Sequence, residues 1–307
     1  MGRFVARRAL LTIPVLLGVS LFVFLMVHLL PGDPVTIMTF GASPTPKQIE
    51  AIREQMGLND PLHIQYLKFI SKAVTGDFGR SIRSKHLVIN DIKENIGPTM
   101  ALTGAGMFVA LIIGFGLGLV AALRRNTWVD TGAMTVALAG VSMPAFWLGI
   151  LLIYFFAVKL DWFPLTGSEG LVRLVLPAIA LGWGYAAITA RLIRANLIDV
   201  MGQEYILTAR SKGLSRQLVI GRHAMKNAMI PVITIIGLQF GNMLAGAVVI
   251  EVLFARQGIG RLLVDAILQR DFPLVQAIVL FIAVFYVVSN LLVDVSYAFL
   301  DPRIRYE

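Results

Sequence analysis

The sequence predicts an all-α integral membrane protein with six spanning helices and a small helical subdomain outside the membrane after the first of them. Three observations carry this. Of 307 residues, 57% are hydrophobic and only 15% charged, against about a quarter charged in soluble domains. The apolar residues gather into six runs, each about the roughly 20 residues that a bilayer crossing needs. Lys and Arg concentrate on alternate short loops, as the positive-inside rule demands. The net charge of +9 therefore reads as an orientation signal, with no nucleic acid as partner. Cysteine is absent, and His28, His63, His86 and His223 have no ligand spacing, so disulfide, thiolate and metal chemistry are not expected on this chain.

Residues 1–30 form the N-terminal tail and first helix. Arg3, Arg7 and Arg8 precede an apolar run from Ala9 to Leu30, and no small-x-small cleavage site precedes Pro31, so the run reads as a retained helix with its N-terminus inside. Residues 31–97 are too polar to span and too long for a connector. Thr45, Pro46 and Gln48 make a T-x-x-Q helix start, Ile49, Ile52 and Met56 line one face, and Gly57 stops it. A second helix from Pro61 to Thr75 places Leu62, Tyr66, Phe69, Ile70 and Ala73 inward and ends at Gly76; a third carries Ile89, Ile92 and Ile96. The eight Lys/Arg of this external subdomain leave the topology intact, because loops beyond about 60 residues escape the charge rule.

Residues 98–300 hold the remaining spans: Thr99 to Leu123, Thr131 to Val158, Leu174 to Ile193, Pro231 to Phe254 and Pro273 to Phe299, followed by a tail at 301–307. Cytoplasmic segments, counted with Arg191 at the inner end of its span, then carry fourteen Lys/Arg and the two short external loops five, which puts both termini inside. Gly114 and Gly118 lie four apart, where backbones approach closely. Pro144 should kink its span, either as packing or as an irregular wall of a solute path.

The cytoplasmic loop at 194–230 is the most informative stretch. From Glu204 to Pro231 it carries Arg210, Lys212, Arg216, Arg222 and Lys226 against a single acid, Glu204. Its grammar is two short helices, with Gly213 ending the first in the left-handed conformation and Ser215 capping the next. A folded basic hairpin beside a membrane bundle suits docking of a soluble partner. The chain itself holds no G-x-x-x-x-G-K-[ST] loop and no H-E-x-x-H, and its mid-membrane positions are uncharged. Glu251 and Asp294 lie toward span ends, where a structural role is expected. A pump built on this chain takes its motor from another one; a channel or ion-coupled carrier is the competing class, and a membrane-anchored enzyme lacks any catalytic set.

The hairpin resembles the cytoplasmic signature of permease subunits in binding-protein-dependent ABC importers of the dipeptide, oligopeptide and nickel branch. The pattern is E-Y-x-x-T-A-R-x-K-G followed by H-A-x-x-N-A-x-x-P, matched here by Glu204, Tyr205, Thr208, Ala209, Arg210, Lys212, Gly213, His223, Ala224, Asn227, Ala228 and Pro231. LLPGDP (Leu29 to Pro34), MGLNDPLHIQYLKF (Met56 to Phe69), GDFGRS (Gly76 to Ser81) and DPRIR extend the resemblance over nearly the whole chain and point to the B-type subunit. Leu207 and Thr208 stand where the general E-A-A-x-x-x-G pattern has Glu and Ala, so the coupling role of that Glu does not carry over.

The resemblance implies a type I ABC importer permease fold in a bacterial or archaeal cytoplasmic membrane. It implies alternating access without cofactor on this chain, with ATP and Mg on two ATP-binding subunits. The further partners are a C-type permease mate, an extracytoplasmic substrate-binding protein and membrane lipid. Tyr205, Ile206 and Ala209 are expected to offer an apolar face to the motor, Arg210 and Lys212 its charges, and Gly213 the exit angle, with Glu204 and Thr208 in the same coupling helix. Peptides are the favoured solute, with glutathione and nickel complexes as alternatives. Trp147, Tyr185, Gln239 and Asn242 are candidates for the solute path, each also suited to packing or hydrogen-bonded support. Arg261 and Arg270, on the last external loop, are candidates for touching the binding protein, against simple packing at the membrane surface.

Overall fold

The computed structural model describes residues 2–29, 45–56, 58–167 and 170–300. Residues 30–34 of the LLPGDP motif, Gly57, the DPRIR tail and the Asp294 side chain lie outside that description. The described residues form helices α1 (Gly2–Leu29), α2 (Pro46–Met56), α3 (Leu62–Val74), α4 (Val88–Leu123), α5 (Trp128–Ser142) and α6 (Ala145–Leu152). A π turn, Ile153–Lys159, extends α6; then come α7 (Val172–Met201), α8 (Glu204–Ser211), α9 (Arg216–Leu253), α10 (Ile259–Leu268) and α11 (Phe272–Leu300).

Four helices, α4, α7, α9 and the Phe272–Leu291 part of α11, are long and apolar enough to cross a membrane, and α1 contributes the shorter apolar stretch Leu10–Met26. The expected third span departs from a single kinked rod: α5 and α6 meet at 105° around Met143 and Pro144. Proline removes the amide that would continue α5 and restricts the residue before it to extended backbone, and Met143 sits at φ −99°, ψ 125°.

Two boundaries also shift. The third external helix and the second span are one continuous helix, α4, because Pro98 stands mid-helix without breaking it. The second hairpin helix is likewise the beginning of α9, which runs through a π turn at Val219–Ala224 and past Pro231.

The bundle centre is the pairing of α4 with α7, and glycine makes it possible. A Cβ on Gly182 would lie 2.3 Å from the Gly106 carbonyl oxygen, on Gly114 2.8 Å from that of Ala186, and on Gly118 2.6 Å from that of Ala190. The small-residue spacing read from the sequence thus marks a backbone-to-backbone contact. Around it, Leu102, Leu181, Met243 and Ile250 close the central core. At the end opposite the hairpin, Val88 and Ile92 pack with Ile259, Ala266 and Ile278. There α3 leans on α1 through Tyr66, whose hydroxyl lies 2.9 Å from that of Ser20. The T-x-x-Q start of α2 forms as expected, with the Thr45 amide donating to Gln48 Oε1 at 2.8 Å.

Candidate functional site: the basic hairpin and its supports

The hairpin is a rigid appendage. Helix α7 ends at Met201, and two residues later α8 begins with Glu204 in its first turn, where a carboxylate favours the helix dipole. Its C-terminus closes as a Schellman motif: Gly213 has φ +79°, its amide donates to the Arg210 carbonyl at 2.9 Å, and the Leu214 amide donates to that of Ala209 at 3.4 Å. Ser215 then caps α9 by accepting from the Leu218 amide at 3.4 Å. Both punctuation marks read from the sequence therefore operate as expected.

The face that α8 turns inward is not the one anticipated. Ile206 is fully buried and Ala209 is 7% exposed, packed against Leu197, Val219, Ala224 and Ala228 and flanked by Leu119, Leu123 and Leu214. They anchor the helix to its own chain and cannot form a face for a partner. The exposed side carries Glu204, Tyr205, Leu207, Thr208, Arg210 and Lys212. Leu207, 55% exposed, supplies the outward apolar surface instead. In an eight-residue helix with apolar residues on both sides, the sequence gives no rule for which side is bare. Tyr205 does both jobs: its ring is partly exposed while its hydroxyl accepts from Asn227 Nδ2 at 2.8 Å, joining the two halves of the motif.

One support was missed. Arg194, the first residue of the 194–230 loop, donates from Nε and Nη2 to the two carboxylate oxygens of Asp130 at 2.6 and 2.7 Å. Asp130 is 4% exposed and also accepts from the Asn126 amide at 3.0 Å. This bidentate pair pins the start of α5 to α7 two turns before the hairpin. The two partners lie 64 positions apart, beyond any spacing rule.

The other candidates separate. Asn242 and Trp147 are exposed, Tyr185 is partly buried against the central core beside Gly246, and Gln239 is 4% exposed. Thr189 donates to Gln239 Oε1 at 3.3 Å, so Gln239 is internal support and does not line an open path. On α9 the residues Leu238, Asn242, Ala245, Val249 and Val252 make an exposed stripe at spacings of four and three. Asn242 is its polar member.

At the opposite end, Glu251 takes the structural role expected of it. It is fully buried, accepts from Thr99 Oγ1 at 2.6 Å and from the Gly260 and Arg261 amides at 2.8 and 3.2 Å, and so caps α10 from within. Arg256, 2% exposed, donates to the Arg173 carbonyl at 3.1 Å. Arg261 is engaged locally, donating to the Ala255 carbonyl at 2.7 Å and lying 3.8 Å from Asp265, whereas Arg270 is exposed. Among the described residues no group of three His, Asp or Glu is placed to hold a metal ion.

Comparison with known proteins agrees with this architecture. Residues 114–306 match the family described as binding-protein-dependent transport system inner membrane component, and residues 1–103 match its N-terminal domain. The glutathione transport system permease protein GsiC of Escherichia coli K12 is 45% identical over 307 residues, all of both chains, and that of Shigella flexneri serotype 5b is 44% identical over the same span. An inward-facing MetNI methionine ABC transporter aligns with TM-score 0.59 at 15% identity, covering 68% of this chain and 96% of that one. An amino acid ABC transporter aligns with TM-score 0.52 at 17% identity, covering 70% and 94%. At those identities the two structures speak to the fold alone. The chain belongs to the inner membrane permeases of binding-protein-dependent ABC importers, in the peptide and nickel branch.

Proposed function

We propose that this chain is the B-type half of a permease pair that imports short peptides handed over by an extracytoplasmic binding protein, with glutathione, itself a tripeptide, as the first solute to test. The basic hairpin faces the cytoplasm, and both termini lie on that side. The outer face of α8, from Glu204 to Lys212, docks on an ATP-binding subunit; ATP and Mg are held by two such subunits. Because Ile206 and Ala209 are fixed in the chain's own core, displacement of α8 carries α7 and α9 with it, which is how a rigid-body transmission works. The exposed α9 stripe faces the permease mate, since a polar Asn242 in mid-span needs a protein or aqueous neighbour. The observation that carries the reading is the pairing of an internally anchored hairpin with a bare, charged outer face.

The solute rests on the likeness to the glutathione permeases. The test is uptake of labelled glutathione, di- and oligopeptides and a nickel complex into vesicles holding the full importer and its binding protein. ATP-dependent uptake of glutathione or another short peptide is expected. Uptake of nickel complexes alone would overturn the solute reading, and uptake driven by an ion gradient without ATP-binding subunits would overturn the importer reading.

A further inference from the structure

The turn between α3 and α4 is built with more care than a connector requires. Arg80 and Leu87 form an antiparallel bridge, the Ser81 amide donates to the His86 carbonyl at 2.9 Å, and the Val88 amide to that of Gly79 at 3.1 Å. Arg80 staples the tip by donating from Nη1 to the Lys85 carbonyl at 2.9 Å. Lys85 itself is held at φ +64°, a left-handed conformation that non-glycine residues seldom adopt.

Two buried carboxylates fasten this turn from beneath. Asp271, 2% exposed, accepts from the hydroxyl of Ser81 and from the Ile82 and Arg83 amides at 3.1 and 3.2 Å; it also accepts from Leu274, at the start of α11. Asp91, 9% exposed, accepts from Ser84 Oγ at 3.2 Å. Both acids point inward, and Arg80, Arg83 and Lys85 at the tip are exposed, as is His86, whose Nδ1 lies 3.7 Å from Asp91 Oδ1. The Asp271 clamp also brings in Arg270, the preceding residue, exposed and at φ +55°. Asp77, the acid within the same turn, is exposed and accepts from the Gly79 amide at Oδ1.

We infer that this fixed basic knob, Arg80, Arg83, Lys85 and Arg270, is a landing point for an acidic surface patch on the solute-binding protein. The inference rests on the proposed function for its orientation and partner. A rigid, pre-ordered set of like charges loses little entropy when it meets a complementary protein surface. Its effect belongs mainly to the encounter rate, where long-range attraction steers the partner. Attachment through Asp271 to the α10–α11 junction also places the knob on the bundle itself, so a docked protein is registered against the spans.

The experiment uses the complete importer in nanodiscs and its purified cognate binding protein, reading ATPase stimulation against binding-protein concentration. Arg83→Glu/Lys85→Glu is expected to raise the half-saturating concentration about tenfold at low salt, with the gap shrinking as salt screens the patch. Lys47→Glu, a charge reversal elsewhere in the external segment, should change it less than about twofold by the same screening argument. An unchanged half-saturation in the double variant overturns the inference. So does an outcome in which the double variant loses only retention of the complex on phosphatidylglycerol vesicles, which would make the knob a lipid contact. If the double variant fails to assemble, wild-type half-saturation decides: it must rise with salt, and a salt-independent value refutes the knob. Absence of any stimulation in the wild type would instead count against the proposed function.

Discussion

Removing one partner of the Asp130–Arg194 pair should cost far more than removing both. Asp130 is almost wholly enclosed, its side chain 6% exposed, and the Arg194 side chain is 29% exposed, so loss of either leaves a charge largely out of water. Breaking a buried pair typically costs about 3–5 kcal/mol, and the partial exposure of Arg194 places Asp130→Leu near the bottom of that range, at about 3 kcal/mol. Arg194→Met should cost about 3 kcal/mol or slightly more, because it strands the carboxylate, the more buried of the two. The double variant Asp130→Leu/Arg194→Met removes both charges and leaves only the Asn126 amide without its acceptor, so it should cost about 1 kcal/mol, well below either single change. The assay is reversible unfolding of the purified chain in mixed micelles, run as a double-mutant cycle. Losses that simply add, within about 0.5 kcal/mol, would show that the two groups do not depend on each other.

Gly258→Ala should release α10, because its Cβ would fall 2.2 Å from the buried Glu251 carboxyl group and displace the acceptor of the Gly260 and Arg261 amides. Losing charge-assisted bonds of that kind costs about 3 kcal/mol, and faster hydrogen exchange over residues 259–268 of α10 would report it. Gly213→Val meets no atom within 4 Å, so its penalty is the backbone alone, about 1–2 kcal/mol for left-handed φ. It should leave subunit assembly intact yet raise the ATP consumed per solute imported; an unchanged ratio would remove Gly213 from the transmission.

Much of the fold was legible because it obeys one-dimensional rules. Runs of apolar residues gave the spans, the Gly114–Gly118 spacing marked the α4–α7 contact, and Gly213 and Ser215 punctuated the hairpin where expected. What escaped depends on neighbours distant in sequence. Pro98 and Pro231 stand inside helices while Pro144 marks the break between two, so a proline in the sequence does not by itself say where a helix ends. Glu251 looked like a span-end charge until the start of α10 folded over it, and the inward turn of Ile206 and Ala209 is fixed by α4, α7 and α9 together.

The natural absence of cysteine permits the most direct test of the hairpin as the contact with the motor. Single cysteines at Leu207, Thr208 and Ile206 can be introduced without background and cross-linked to cysteine-bearing ATP-binding subunits in the assembled importer. Leu207→Cys and Thr208→Cys should cross-link readily and Ile206→Cys should not, because the first two positions are exposed and the third is sealed inside the chain. Cross-linking at Ile206 equal to that at Leu207, or none at either exposed position, would contradict the assignment of the outer face of α8 as the docking surface.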